Sequence, residues 1–205
     1  MKTSNKFFRI VSLLGFLAYG SLSAGPTITE SKLKVESGKM LFTLVKTMAG
    51  TDSKMVGLAK QVSGNIDMKA KTFDFTMDIT LDSFALDGQY KFANDRMHET
   101  YLESAKFATA NYKGTILSYD PESGKAKVSG KMTIHGTTKD NVEIEGVVTP
   151  SESGSGYLLT AGFKVNLNDY KIAVPDIKLA KVSEIVELKI KLELKSAKWK
   201  SYSCY

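Results

Sequence analysis

The sequence predicts an all-β fold of about eight antiparallel strands, a sandwich or a barrel, interrupted by one short helical segment. Three observations predict it. Phe73, Phe75, Met77, Ile79 and Leu81 alternate with Asp74, Thr76, Asp78, Thr80 and Asp82, which puts large apolar side chains on one face of a strand and polar ones on the other. Val186, Leu188, Ile190, Leu192 and Leu194 alternate in the same way with Glu187, Lys189, Lys191, Glu193 and Lys195. Turn signals separate such runs at hairpin spacing. Strands with a single apolar face bury it most completely when the sheet closes on itself, which also removes its edges.

The 205 residues suffice for one domain with a sizeable core. A hydrophobic content of 42% and a charged content of 24% are those of a globular chain. Residues 1–24 have the form of a signal peptide: Lys2, Lys6 and Arg9 precede an apolar run from Ile10 to Tyr19, and Ser21-Leu22-Ser23-Ala24 supplies a small-residue cleavage site. Residues 25–205 are then a single domain, periplasmic or secreted. Removing three basic residues from a formal charge of +6 leaves +3, and no basic stripe with interleaved aromatics accompanies it, so nucleic acid is not an expected partner. Cys204 is the single cysteine, which excludes an internal disulfide.

In chain order, residues 25–36 read as a first strand or edge segment and Met40 to Val45 as a strand apolar on both faces. Residues 47–60, with Gly50 and Gly57 and no strand period, read as a loop with a helical turn through Lys54–Lys60, either packed on the sheet or acting as a lid. Residues 66–82 form a hairpin. Met97, Tyr101, Leu102 and Ala105 fall on one helical face after the polar opener Asn94-Asp95, so 96–114 reads as a helical cap followed by re-entry into the sheet. Strands follow at Tyr112–Tyr119 and Val128–His135, with turns at Asp120–Gly124 and His135–Lys139. Further strands carry Val142, Ile144 and Val148, then Leu159, Ala161, Phe163, Val165 and Leu167, then Tyr170, Ile172 and Val174, before the C-terminal alternation.

Catalytic patterns are absent from the sequence. His98-Glu99 resembles the start of a zinc-protease helix, but Leu102 stands where the second histidine belongs. A zinc site from His98, His135 and a carboxylate lacks ligand spacing. There is no Gly-x-Ser-x-Gly elbow, and Gly154-Ser155-Gly156 has no phosphate-loop context. No cofactor is expected.

Arg96-Met97-His98, followed by Tyr101-Leu102-Glu103-Ser104 and by Phe107…Tyr112-Lys113-Gly114, resembles the middle of the YceI-like family. The stretch from Val128 to Lys139, with His135-Gly136-Thr137-Thr138, is similar to that family's His-Gly hairpin. Ile79 to Phe84 resembles the family's strand before the helical part, and Phe163 to Ile172 its late strand. The chain departs from the family's pattern in having Ala108 after Phe107, where a proline is usual, and in a longer, methionine-containing 47–60 stretch.

The resemblance implies an eight-stranded, lipocalin-like antiparallel barrel, exported from the cytoplasm, that binds a long-chain apolar lipid of isoprenoid type inside, and that forms a homodimer in some relatives. A barrel of this size is either filled by its own side chains or holds one small ligand. Phe73, Phe75, Met77, Ile79, Leu81, Met132, Ile134, Phe163 and Val165 are interior residues in both cases. With Phe42, and with Met97 and Tyr101 from the cap, they form the candidate ligand-binding set that an open interior implies. A filled barrel acting as an interaction or stress-response module, and a lipid-modifying enzyme, are the competing readings.

Overall fold

In a computed structural model of the chain, residues 27–88, 91–177 and 180–197 are described. The segment read as a signal peptide, residues 1–24, and Cys204 lie outside the described residues. Twelve strands form one antiparallel sheet: β1 (Lys32–Met48), β2 (Thr51–Ala59), β3 (Val62–Asp67), β4 (Thr72–Asp78), β5 (Phe84–Leu86), β6 (Thr109–Tyr119), β7 (Lys125–Ile134), β8 (Thr137–Pro150), β9 (Tyr157–Asn166), β10 (Asp176–Ile177), β11 (Ala180–Val182) and β12 (Ile185–Ser196). Eight of them close a ring in the order β1-β12-β9-β8-β7-β6-β4-β3, sealed by the pairing of β3 back onto β1. β2 and the short strands β5, β10 and β11 extend this barrel at one end.

Alternation decides which side chains face inward. Phe73, Phe75 and Met77 on β4 pair with Ile66, Gly64 and Val62 on β3 and with Gly114, Tyr112 and Ala110 on β6. Val186, Leu188, Ile190, Leu192 and Leu194 on β12 meet Val165, Phe163, Ala161, Leu159 and Tyr157 on β9. The outward residues form exposed cross-strand ion pairs such as Lys113–Asp74 and Lys164–Glu187, which individually contribute little stability. Register shifts at Val35/Ser37, Ile116/Ser118 and Gly130/Met132 insert bulges; each bends its strand and helps the sheet to curl shut.

Four expectations are corrected. Residues 47–60 are neither loop nor lid: they belong to a β1–β2 hairpin turning at Ala49-Gly50, both left-handed at φ 47° and 80°. The inward positions of β2 are Met55, Gly57 and Ala59. Phe42 lies over Gly57 so closely that a Cβ there would meet the ring at 2.0 Å, so the small residues that make room for Phe42 erase the hydrophobic alternation. The second correction concerns β4, which ends at Asp78. Asp78 accepts hydrogen bonds from the Thr80 amide and the Ser83 hydroxyl, closing a turn that leaves Leu81 on the surface, 46% exposed, rather than in the interior.

Third, the cap begins earlier than expected. The helix α1 spans Lys91–Arg96 and runs into a π-helical turn at Met97–Tyr101, where the Leu102 amide donates to the Met97 carbonyl. Asn94 is not its N-cap; its side-chain oxygen accepts from the Leu86 amide, binding the helix to β5. The sheet resumes at Thr109. Fourth, Tyr170, Ile172 and Val174 do not form a strand. A 3-10 turn at Leu167–Tyr170, capped by Asn166, and a left-handed Lys171 direct Tyr170 and Ile172 inward, where they are 3% and 2% exposed.

Candidate ligand-binding site

Two adjoining cavities occupy the barrel. The outer one, under the helical cap, has a volume of about 370 Å³. The inner one, within the ring of strands, has a volume of about 170 Å³. Their walls are almost wholly apolar. The only charged side chains among the described residues lining either cavity are Lys46 and Arg96, and both border the outer one.

The cap is built to cover the outer cavity. Ala93, Met97, Tyr101 and Leu102 pack against the core, and the buried His98 anchors this segment. Its Nε2–H donates to the Phe84 carbonyl and its Nδ1 accepts from the Ser104 hydroxyl, both at 2.6 Å; a carbonyl can only accept, which sets the tautomer. Arg96 lies exposed over the Phe92 ring. Phe42 stacks on Phe84, centroids 4.1 Å apart, forming part of the cavity wall. The segment from Ile172 to Pro175 also lines the outer cavity.

Leu33 and Leu194, each 1% exposed, pack with Tyr157 and Val148 into a second cluster, from which Leu33, Val148 and Leu194 also line the inner cavity. Tyr157 is tied there by a hydrogen bond to the Glu30 carboxylate. Along the inner wall Tyr112 directs its hydroxyl to the Val142 carbonyl, 2.7 Å away. Its polar tip is thus satisfied by the barrel itself, and burial pushes the phenol up to about 12.

Of the candidate residues, Phe75, Met132 and Phe163 line the inner cavity, whereas Phe42, Ile79, Met97, Tyr101 and Val165 line the outer one. Met77 and Ile134 line both. Phe73 lines neither; it is buried against the rings of Phe75 and Tyr112. Leu81, exposed in its surface turn, lines neither cavity. Leu188 and Ile190 were legible as inward residues in the β12 alternation yet stand outside the candidate set, although both line the inner cavity. The Ile172–Pro175 segment had a sequence signal, the spacing of Tyr170, Ile172 and Val174, but it reads as a strand of the sheet and not as a lining of the outer cavity.

His135 places Nε2 2.8 Å from the Glu103 carboxylate and packs its ring on Phe107. The His135-Gly136 turn, left-handed at both residues, is thereby locked against the chain leaving the cap. A Cβ at Gly136 would meet Phe107 at 2.6 Å. This contact joins two of the motifs on which the family resemblance rests.

The fold and the site define a closed β-barrel whose interior is a capped apolar chamber rather than a solid core. The chain belongs to the YceI-like family, whose domain model matches residues 28–194. No curated protein matches it. Among solved structures, the chain is similar to a polyisoprenoid binding domain from Saccharophagus degradans at 14% identity and a TM-score of 0.62, covering 82% of this chain and 99% of that one. It is also similar to Burkholderia cenocepacia BcnA, at 18% identity and a TM-score of 0.56 over 75% of this chain and 95% of the other. A Campylobacter jejuni YceI protein gives 20% identity and a TM-score of 0.54 over 70% and 85%. At these identities the likeness is one of fold.

Proposed function

We propose that the protein is an exported binding protein that holds a long-chain apolar lipid of isoprenoid type in its barrel, for sequestration or transport through an aqueous compartment. The observation that carries this reading is the pair of apolar cavities beneath the cap, with charge confined to the outer one. Burial of the chain drives binding, at roughly 0.8 kcal/mol per methylene. Lys46 and Arg96 favour an amphiphile that enters tail first and leaves its polar end at the outer cavity. Membership of the YceI-like family and the polyisoprenoid-binding description of the Saccharophagus degradans neighbour support the same reading, which is one of binding rather than catalysis. Native mass spectrometry of the purified protein, followed by lipid extraction, tests it. A stoichiometric apolar adduct is expected. Protein that neither carries such a molecule nor takes up an added isoprenoid would leave the barrel without a ligand and overturn the proposal.

A further inference from the structure

Met77, Ile134 and Leu188 line both cavities. They come from β4, β7 and β12, which are spaced two, three and three strands apart around the ring of eight, so they converge on the barrel interior from three sides at one level. We propose that these side chains form a partition that sets the length of chain the barrel accepts, with Met77 as its movable member. This rests on the reading of the protein as a lipid carrier.

Their surroundings distinguish the three. Leu188 is held between its cross-strand neighbours Phe42 and Phe163 and is 9% exposed. Ile134 is β-branched, stiff at χ1, and sits at the end of β7 beside the His135-Gly136 turn. Met77 faces the smaller Val62 and Ala110 across its two neighbouring strands. An unbranched thioether with several rotatable bonds, flanked by small neighbours, is the side chain able to swing aside.

The volumes turn this arrangement into a length. An apolar cavity of about 150 Å³ takes one benzene, or about six carbons. On that scale the outer cavity of about 370 Å³ accommodates roughly 15 carbons, near three isoprene units. The inner cavity of about 170 Å³ adds roughly seven more, reachable only past the partition. A chain that stops at the partition needs no rearrangement. One of about four isoprene units must displace Met77.

The experiment is a chain-length series of isoprenoid alcohols, geraniol, farnesol, geranylgeraniol and solanesol, bound to delipidated full-length mature protein and followed by native mass spectrometry. For wild type, affinity should rise steeply up to farnesol, by about fourfold per buried methylene, and then gain less than about tenfold on going to geranylgeraniol. Met77→Ala should remove the break, so that geranylgeraniol gains more than about a hundredfold over farnesol. Met77→Val, a smaller change, should act in the same direction and serves if the alanine variant loses its fold. Met68→Ala alters the inner cavity wall away from the partition and should leave the break in place. Uninterrupted tightening through geranylgeraniol in wild type, or a break that neither Met77 variant moves, would overturn the partition while leaving the carrier reading intact. Failure of wild type to bind any member of the series would overturn both.

Discussion

The Nε2–H of His98 donates to the carbonyl oxygen of Phe84 across 2.6 Å, fastening the helical cap to the short strand that extends the barrel. The same imidazole takes the Ser104 hydroxyl on its other nitrogen, so one buried side chain holds both the strand before the cap and the chain after it. Replacing His98 by alanine leaves these partners unsatisfied and opens a void beneath the π-helical turn. The expected loss is about 1–3 kcal/mol, read as a lower melting temperature. Hydrogen exchange should quicken selectively at residues 97–104. A uniform change across the barrel would show that His98 supports the whole core rather than the cap.

Met97 faces the outer cavity from the π-helical turn. Met97→Trp should obstruct that space, so that lipid uptake falls or shifts to shorter chains while the melting temperature of the empty protein changes little. If the residue instead fills a packed core, the same change should cost about 1–3 kcal/mol with no uptake to lose. Measuring uptake and melting on one variant separates the two.

Phe75 and Leu81 lie on the same face in the sequence alternation but in different environments in the fold. Phe75→Asp places a carboxylate in the wall of the inner cavity and should cost several kcal/mol. Leu81→Asp, in the exposed turn, should change stability by no more than about 0.5 kcal/mol. Asp78→Ala, which the alternation alone would class as a silent surface change, removes acceptors from the Thr80 amide and the Ser83 hydroxyl and should cost about 1 kcal/mol. Chemical denaturation of the three variants gives the ranking; comparable losses at positions 75 and 81 would contradict the turn.

Gly57→Ala tests the packing that hid β2 from the sequence. A methyl group there collides with the Phe42 ring, which is itself stacked on Phe84. The expected cost is about 1–3 kcal/mol, larger than that of Gly154→Ala, where no atom stands within 4 Å of the new Cβ and only the left-handed backbone opposes the change.

Alkaline stability follows from two tyrosines. Burial is the main cause that pushes Tyr112 and Tyr170 up to about 12 from an ordinary value of 10.0. The folded state therefore holds these protons more tightly than the unfolded chain. Their stabilisation is fully present below pH 10, and is lost as pH rises through about 12. Melting temperatures recorded from pH 9 upward should fall across that window, in step with tyrosinate absorbance, and less steeply in Tyr112→Phe. A flat profile would place both phenols in contact with solvent.

The sequence by itself determined the strands whose inward positions are filled by large apolar residues, β4, β9 and β12, and an antiparallel all-β fold; their alternation alone left sandwich and barrel open, and the pairing of β3 onto β1 decided for the barrel. Period two is a local property of the chain, and it survives wherever each strand contributes bulk of its own to the interior. Tertiary structure decided the rest. β2 was invisible because Gly57 and Ala59 yield their share of the interior to Phe42, a side chain from another strand. The spacing of Tyr170 and Ile172 reads as a strand, but they reach the core through a 3-10 turn and one left-handed residue, Lys171. The two cavities, and the level at which Met77, Ile134 and Leu188 meet, exist only once the ring has closed. Alternation assigns each side chain to a face, but the space in front of that face is set by residues far away along the chain.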